Sequence, residues 1–149
     1  MTNYFINRYY HPDESSGTSL LLDLTEALSK KGFSNLVVLT SNRVSNSNIK
    51  LPKKEIINGV KVIRLRSLNT EKRKIYFRFL DYGLFLISAS LFVLFKLKKS
   101  DLVVSMSDPP LLSFFIGISC SIKGISQINW IQDVYPEIAS TLSVKVPFP

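Results

Sequence analysis

The chain is a succession of short apolar runs separated by polar loops, and the period of those runs changes along its length. Tyr4 to Arg8 reads as a first strand, and Leu36 to Thr40 as a second whose unbroken apolar character suits a buried position. Between them, from Thr18, the period becomes helical: Leu20, Leu24, Ala27 and Leu28 share one face, and Asp23 and Glu26 lie off it. Lys30 and Lys31 suit the negative end of that helix, and Gly32 supplies its stop. Strand, polar loop, helix and strand together form a βαβ unit, which requires a parallel sheet.

Further on, Glu55-Ile56-Ile57 and Val60 to Leu65 flank Asn58-Gly59, the best short hairpin signal in the chain. Ile75 to Leu97 is the most hydrophobic helix. Its charge-free centre, Tyr82 to Phe95, spans fourteen residues, roughly 21 Å against the ~30 Å of a hydrocarbon core, which argues against a membrane span. On a helical wheel Arg78, Asp81, Ser88, Lys96 and Lys99 gather on one side, with Phe85 and Phe92 in the same stripe. Either the two Phe pack into a core, or the stripe dips into a lipid interface with Lys72, Arg73, Lys74 and Arg78 around it.

Asp101 to Ser105 reads as a third parallel strand. Ser107-Asp108-Pro109-Pro110 follows, then an apolar helix from Leu111 to about Ile122, with Pro109 in its first turn and Asp108 or Ser107 as cap. Ser126 to Ile131 alternates as a short buried strand, with Gln132 and Asp133 at its end, before Tyr135-Pro136-Glu137 restarts a helix. The expected fold is α/β: a Rossmann-like parallel sheet with helices on both faces, a β-hairpin and one amphipathic apolar helix, all in a single domain over 1–149.

Charge narrows the partners. The net charge is +8, and between Arg43 and Arg78 eleven Lys/Arg face only Glu55 and Glu71, leaving eight basic against nine acidic residues elsewhere. Such a patch suits anionic lipid, a phosphorylated substrate or nucleic acid. No helix-turn-helix, RNA-recognition or zinc motif accompanies it, so nucleic acid is not an expected partner. One cysteine, Cys120, and one histidine, His11, exclude an intramolecular disulfide and a Cys-rich zinc site, so no metal is expected. Cys120 on an apolar helix reads as a small buried hydrophobe. No export signal is read at the N-terminus.

The stretch Asn129-Trp130-Ile131-Gln132-Asp133-Val134-Tyr135-Pro136-Glu137 resembles the Trp-hydrophobic-Gln-Asp-x-x-Pro-Glu signature of bacterial family 4 glycosyltransferases, which build exopolysaccharides, O-antigens and colanic acid. Phe5-Ile6-Asn7-Arg8, Tyr10-His11-Pro12-Asp13 and Thr18-Ser19-Leu20-Leu21 match that family's opening in order, and Ser107-Asp108-Pro109-Pro110-Leu111-Leu112 resembles its Thr-Asp-Pro-Pro-Leu-Leu stretch. The resemblance implies the N-terminal, acceptor-side domain of a GT-B fold. The full enzyme would be a retaining transferase moving a sugar from a nucleotide-sugar to a polyprenyl-diphosphate-linked acceptor, peripheral at the cytoplasmic face of the bacterial cell membrane.

The same resemblance implies a cleft lined by the first loop, with His11, Ser15, Ser16, Gly17, Asp108 and Glu137 as substrate-binding candidates. Backbone N–H groups at Ser15, Ser16 and Gly17 would welcome an anion at a helix N-terminus. Asp133 is the candidate acceptor of the acceptor-hydroxyl proton, with Gln132 as its neutral hydrogen-bonding partner; a helix cap is the alternative role for Asp133. The donor-binding C-terminal domain is expected to be missing, so no cofactor is expected here and the chain alone is expected to be inactive. A non-catalytic membrane-surface or lipid-diphosphate binding module is the alternative expectation.

Overall fold

A computed structural model describes residues 1–13, 16–44, 47, 49–68 and 75–132. Its elements follow in the order β1 (Asn3–Ile6), α1 (Ser16–Lys30), β2 (Leu36–Ser41), β3 (Lys54–Ile57), β4 (Val60–Leu65), α2 (Ile75–Lys96), β5 (Leu102–Met106), α3 (Leu112–Lys123) and β6 (Ser126–Trp130). The six strands form one sheet in the order β3-β4-β2-β1-β5-β6. All neighbours pair in parallel except β3, which runs antiparallel to β4. The α/β, Rossmann-like expectation holds.

Alternation along the strands divides the core in two. Phe5, Val38 and Val104 point to one face with Val60 and Val62, where Leu21, Leu24 and Leu28 of α1 cover them. Ile6, Leu39 and Val103 point to the other, under Phe85, Ala89 and Val93 of α2 and Leu112, Ile116 and Cys120 of α3. Successive strand residues take opposite faces, so β1, β2, β4 and β5 serve both layers.

Local chemistry sets the turns. Asn58 and Gly59 both adopt positive φ, 49° and 80°, as the tight hairpin between β3 and β4 requires. The hairpin tip leans on α1, where Asn58 Nδ2 donates to Glu26 Oε2 at 2.8 Å. Gly32, at φ 90°, ends α1 as expected, while the Phe33 N–H reaches back to the Leu28 carbonyl at 3.2 Å.

Four local expectations are corrected. The inward face of α1 is Thr18, Leu21 and Thr25 with Leu24 and Leu28; Leu20 and Ala27 are exposed. Thr25 can be buried because its hydroxyl donates to the Leu21 carbonyl at 2.9 Å and pairs with the Tyr10 hydroxyl at 2.9 Å. Strand β6 forms, but at the sheet edge, with Ile128 half-exposed and Ile131 beyond it exposed. Helix α3 begins only after Leu111, which is left-handed at φ 68° with no side-chain cap bond, so neither Asp108 nor Ser107 caps it and Pro109 precedes the helix.

The fourth correction concerns α2. The stripe carrying Phe85 and Phe92 faces the sheet, not the outside: Phe85 is 0% exposed and Phe92 packs edge-on to Tyr4 with ring centroids 6.1 Å apart. Asp81, in the same stripe, is also 0% exposed. The physical reason is a partner far away in sequence. Arg8, two residues past the end of β1, pairs with Asp81 and makes burial of the carboxylate possible. Of the basic residues read beside that stripe, Arg78 is exposed, and Lys72, Arg73 and Lys74 lie outside the described residues.

Candidate functional site

From β1 the chain moves outward to β2 and β4, then returns through α2 to β5 on the other side of β1. The strand order therefore reverses between β1 and β5, and in open α/β sheets ligands bind at such a point, outside the carboxyl ends of the strands. Three segments emerge there: Asn7-Arg8-Tyr9 after β1, Ser107-Asp108 after β5 and Ile131-Gln132 after β6.

The Arg8 backbone is fixed from both sides. Its N–H donates to the Asp108 carbonyl at 3.1 Å, and its carbonyl accepts from the Ser41 N–H at 3.0 Å and the Thr40 hydroxyl at 2.8 Å. Its guanidinium lies over the Tyr82 ring at 4.3 Å and the Tyr9 ring at 4.9 Å, while Nη2 pairs with Asp81 Oδ2. The other Asp81 oxygen accepts from the Ser67 hydroxyl at 2.8 Å and the Leu68 N–H at 2.6 Å, so the carboxylate also ties down the segment after β4.

Burial alone would lower the Arg8 pKa, but Tyr9, and then Asp81 and Tyr82, more than offset this and hold it above its ordinary value. Burial pushes the Tyr9 phenol up to about 12, against the opposing pull of Arg8 and with the nearby Asp108 carboxylate adding to the rise. Arg8 and Tyr9 thus stay cation and neutral donor across the physiological range. Two buried polar atoms of this corner, Asn7 Oδ1 and Arg8 Nε, have no hydrogen-bond partner among the described residues.

Gln132 closes the corner from the other side. A Cβ added at Gly17 would stand 2.7 Å from Gln132 Oε1, so the amide rests directly on the first turn of α1. Gln132 Nε2 is buried and has no hydrogen-bond partner among the described residues, a donor that a ligand oxygen could take up. The structure thus brings Gln132, Gly17 and Asp108 to the same edge of the sheet. His11 is exposed, and its loop is held by Arg64, whose Nη2 donates to the His11 carbonyl at 2.6 Å while Nε donates to Glu55 at 2.6 Å. Ser16 opens α1. Ser15, Asp133 and Glu137 lie outside the described residues.

The buried Arg8–Asp81 pair was not foreseen. A signal existed: a lone acid amid Phe85, Ala89 and Phe92 on a very apolar helix needs a cation, and Arg8 ends the first strand. Cys120 is buried as expected, and burial pushes its thiol up to about 11, far from a thiolate nucleophile. Among the described residues no group of three or more His, Cys, Asp or Glu gathers as a metal site. A hollow of about 550 Å³ beside α1 is lined by Asn3, Phe5, Leu28, Phe33 and Leu102, at the amino ends of β1 and β5 and away from this polar corner. No family model, curated protein or solved structure matches the chain.

Proposed function

We propose that this chain is the N-terminal, acceptor-side half of a retaining GT-B glycosyltransferase acting on a polyprenyl-diphosphate-linked sugar in cell-surface polysaccharide synthesis. One observation carries the reading. The unpartnered amide of Gln132, from the Trp-Ile-Gln-Asp stretch, lies on Gly17 of the first loop and helix, although the two are far apart in sequence. Both stretches carry the family resemblance, and their meeting at the switch-point edge supports a shared acceptor site.

In this reading the first turn of α1 offers backbone N–H groups to a diphosphate oxygen, and Gln132 Nε2 donates to the acceptor sugar. Asp133, next in sequence, takes the proton of the attacking hydroxyl as the glycosidic bond forms. The nucleotide-sugar donor is bound by a separate C-terminal domain, and the assembled enzyme works at the cytoplasmic face of the membrane.

The test is binding of a polyprenyl-diphosphate sugar, held in nanodiscs, against the same lipid as a monophosphate. Preference for the diphosphate sugar, lost in Gln132→Ala, supports the acceptor reading; equal binding of both sinks it. The 149 residues alone should turn over no nucleotide-sugar. The exposed apolar sides of α2 and α3 favour a second reading, a non-catalytic membrane-surface module, which predicts vesicle binding without that preference.

A further inference from the structure

Helix α2 is apolar on its outer side as well as its inner one. Its inner face holds Asp81, Phe85, Ala89 and Val93, while Tyr76, Leu80, Ile87, Leu91 and Phe95 recur at helical spacing on the outer face. Phe95 is 77% exposed, and no charged residue interrupts that outer stripe. The stripe runs from Tyr76 to Phe95, roughly 28 Å. Helix α3, packed beside α2 on the same side of the sheet, repeats the pattern: Phe114, Ile118 and Ile122 face outward, Ile122 at 70% exposure. A single exposed Leu needs no explanation, but two adjoining helices with wholly apolar outer stripes do.

We propose that the joined outer faces of α2 and α3 dock the protein onto an anionic phospholipid bilayer, with both helices lying in the plane of the interface. Charge decides the occupant. From Tyr76 to Lys123 the acids are Asp81, Asp101 and Asp108; the first two are buried, and Asp101 is engaged by the Thr2 and Lys98 N–H groups at 2.9 Å. Arg78 at one end of α2, and Lys96, Lys98 and Lys99 at and beyond the other, are exposed, with Lys123 ending α3. An apolar face with basic ends matches acyl chains and anionic head groups. A second copy of the same face would instead set cations against cations.

By length and composition Tyr76–Lys96 could also cross a membrane, and only 22% of its most apolar window is buried. Crossing would strip Phe85, Ala89 and Val93 from the sheet and carry Asp81 away from Arg8 into hydrocarbon, whereas in-plane docking leaves the core untouched. The amino end of α2 lies beside Arg8 at the carboxyl edge of the sheet. Docking therefore brings lipid to the mouth of the candidate site. In placing a lipid-borne acceptor there, docking rests on the proposed function; the vesicle readout needs no sugar and can fail or succeed apart from it.

The experiment is co-sedimentation of the full chain with phosphatidylcholine vesicles, with and without phosphatidylglycerol. The parent should pellet with the anionic vesicles. Ile87→Ser/Leu91→Ser/Phe95→Ser should partition at least roughly tenfold less, with an unchanged urea midpoint. Leu20→Ser/Ile56→Ser, exposed elsewhere, should bind like the parent. Changing Lys96, Lys98, Lys99 and Lys123 to Gln should abolish the preference for phosphatidylglycerol. A parent that stays in the supernatant, or a triple variant that pellets like the parent, overturns docking. So does a parent dimer that the triple variant dissociates without any vesicle binding.

Discussion

Helix α1 buries Leu21 against the sheet and turns Asp23 and Lys30 to the outside, whereas α2 buries Asp81 and leaves Ile87, Leu91 and Phe95 outside. Both cover a parallel sheet, and both bury a polar group. In α1 one such group is Thr25, a hydroxyl satisfied by its own helix and by Tyr10. In α2 it is a carboxylate, which needs a full counter-charge, supplied by Arg8 from the segment after β1. Helix α1 is amphipathic in the ordinary sense. Helix α2 is apolar nearly all round, and a single ion pair marks its inner side.

The sharpest way to break this contrast is to remove the mark. Asp81→Ala leaves the Arg8 guanidinium buried without its partner and should cost about 3–5 kcal/mol, measured as the fall in urea unfolding free energy. Arg8→Met/Asp81→Leu should regain most of that loss, because an apolar pair replaces a desolvated ionic one. A loss below ~1 kcal/mol for Asp81→Ala would mean the pair is solvated and does not orient α2.

The two faces can then be compared with one residue type. Phe85→Ala empties a fully buried site under α2 and should cost about 3–5 kcal/mol. Phe95→Ala removes an exposed ring ten residues further along the same helix and should change stability by no more than ~0.5 kcal/mol. Equal losses would place both rings in packed surroundings and abolish the outward apolar face.

What the sequence made legible follows from how local each cause is. The hairpin was readable because Asn58-Gly59 satisfies a positive-φ requirement on its own. The βαβ opening was readable because apolar run, period change and Gly32 stop all lie within one short stretch. For α2, the period was clear but the direction was not. A wheel groups Asp81 with Phe85 yet cannot say that Arg8, 73 residues earlier, waits behind them. The same limit applies at Leu111: the paired prolines suggested a helix start, and the left-handed residue that begins the helix gave no local signal. At the candidate site, Gln132 and Gly17 were each named from sequence, but their contact is a product of topology.

On the α1 side the buried polar group should matter less. Thr25→Val leaves the Tyr10 hydroxyl, itself buried, without its partner and should cost about 1–3 kcal/mol. Tyr10→Phe in the same background should restore much of it, since no orphaned hydroxyl remains. If the single and double variants are equally unstable, the loss comes from helix packing and the hydrogen bond is incidental.

The smallest expected effect lies where α1 begins. Gly17→Ala sets a methyl group 2.7 Å from Gln132 Oε1, too close for both to stay. The atom in the way is the end of a flexible amide, so the fold need not move, and alanine is the better helix former by up to ~1 kcal/mol. Stability should therefore change by less than ~1 kcal/mol in either direction. The Gln132 amide, however, must turn aside, and its side-chain N–H resonances should shift in a spectrum of the uniformly labelled protein. If those resonances stay in place while the methyl is accommodated, Gln132 does not rest on α1. The first loop and the end of β6 would then share no site, and the acceptor reading would lose the contact that supports it.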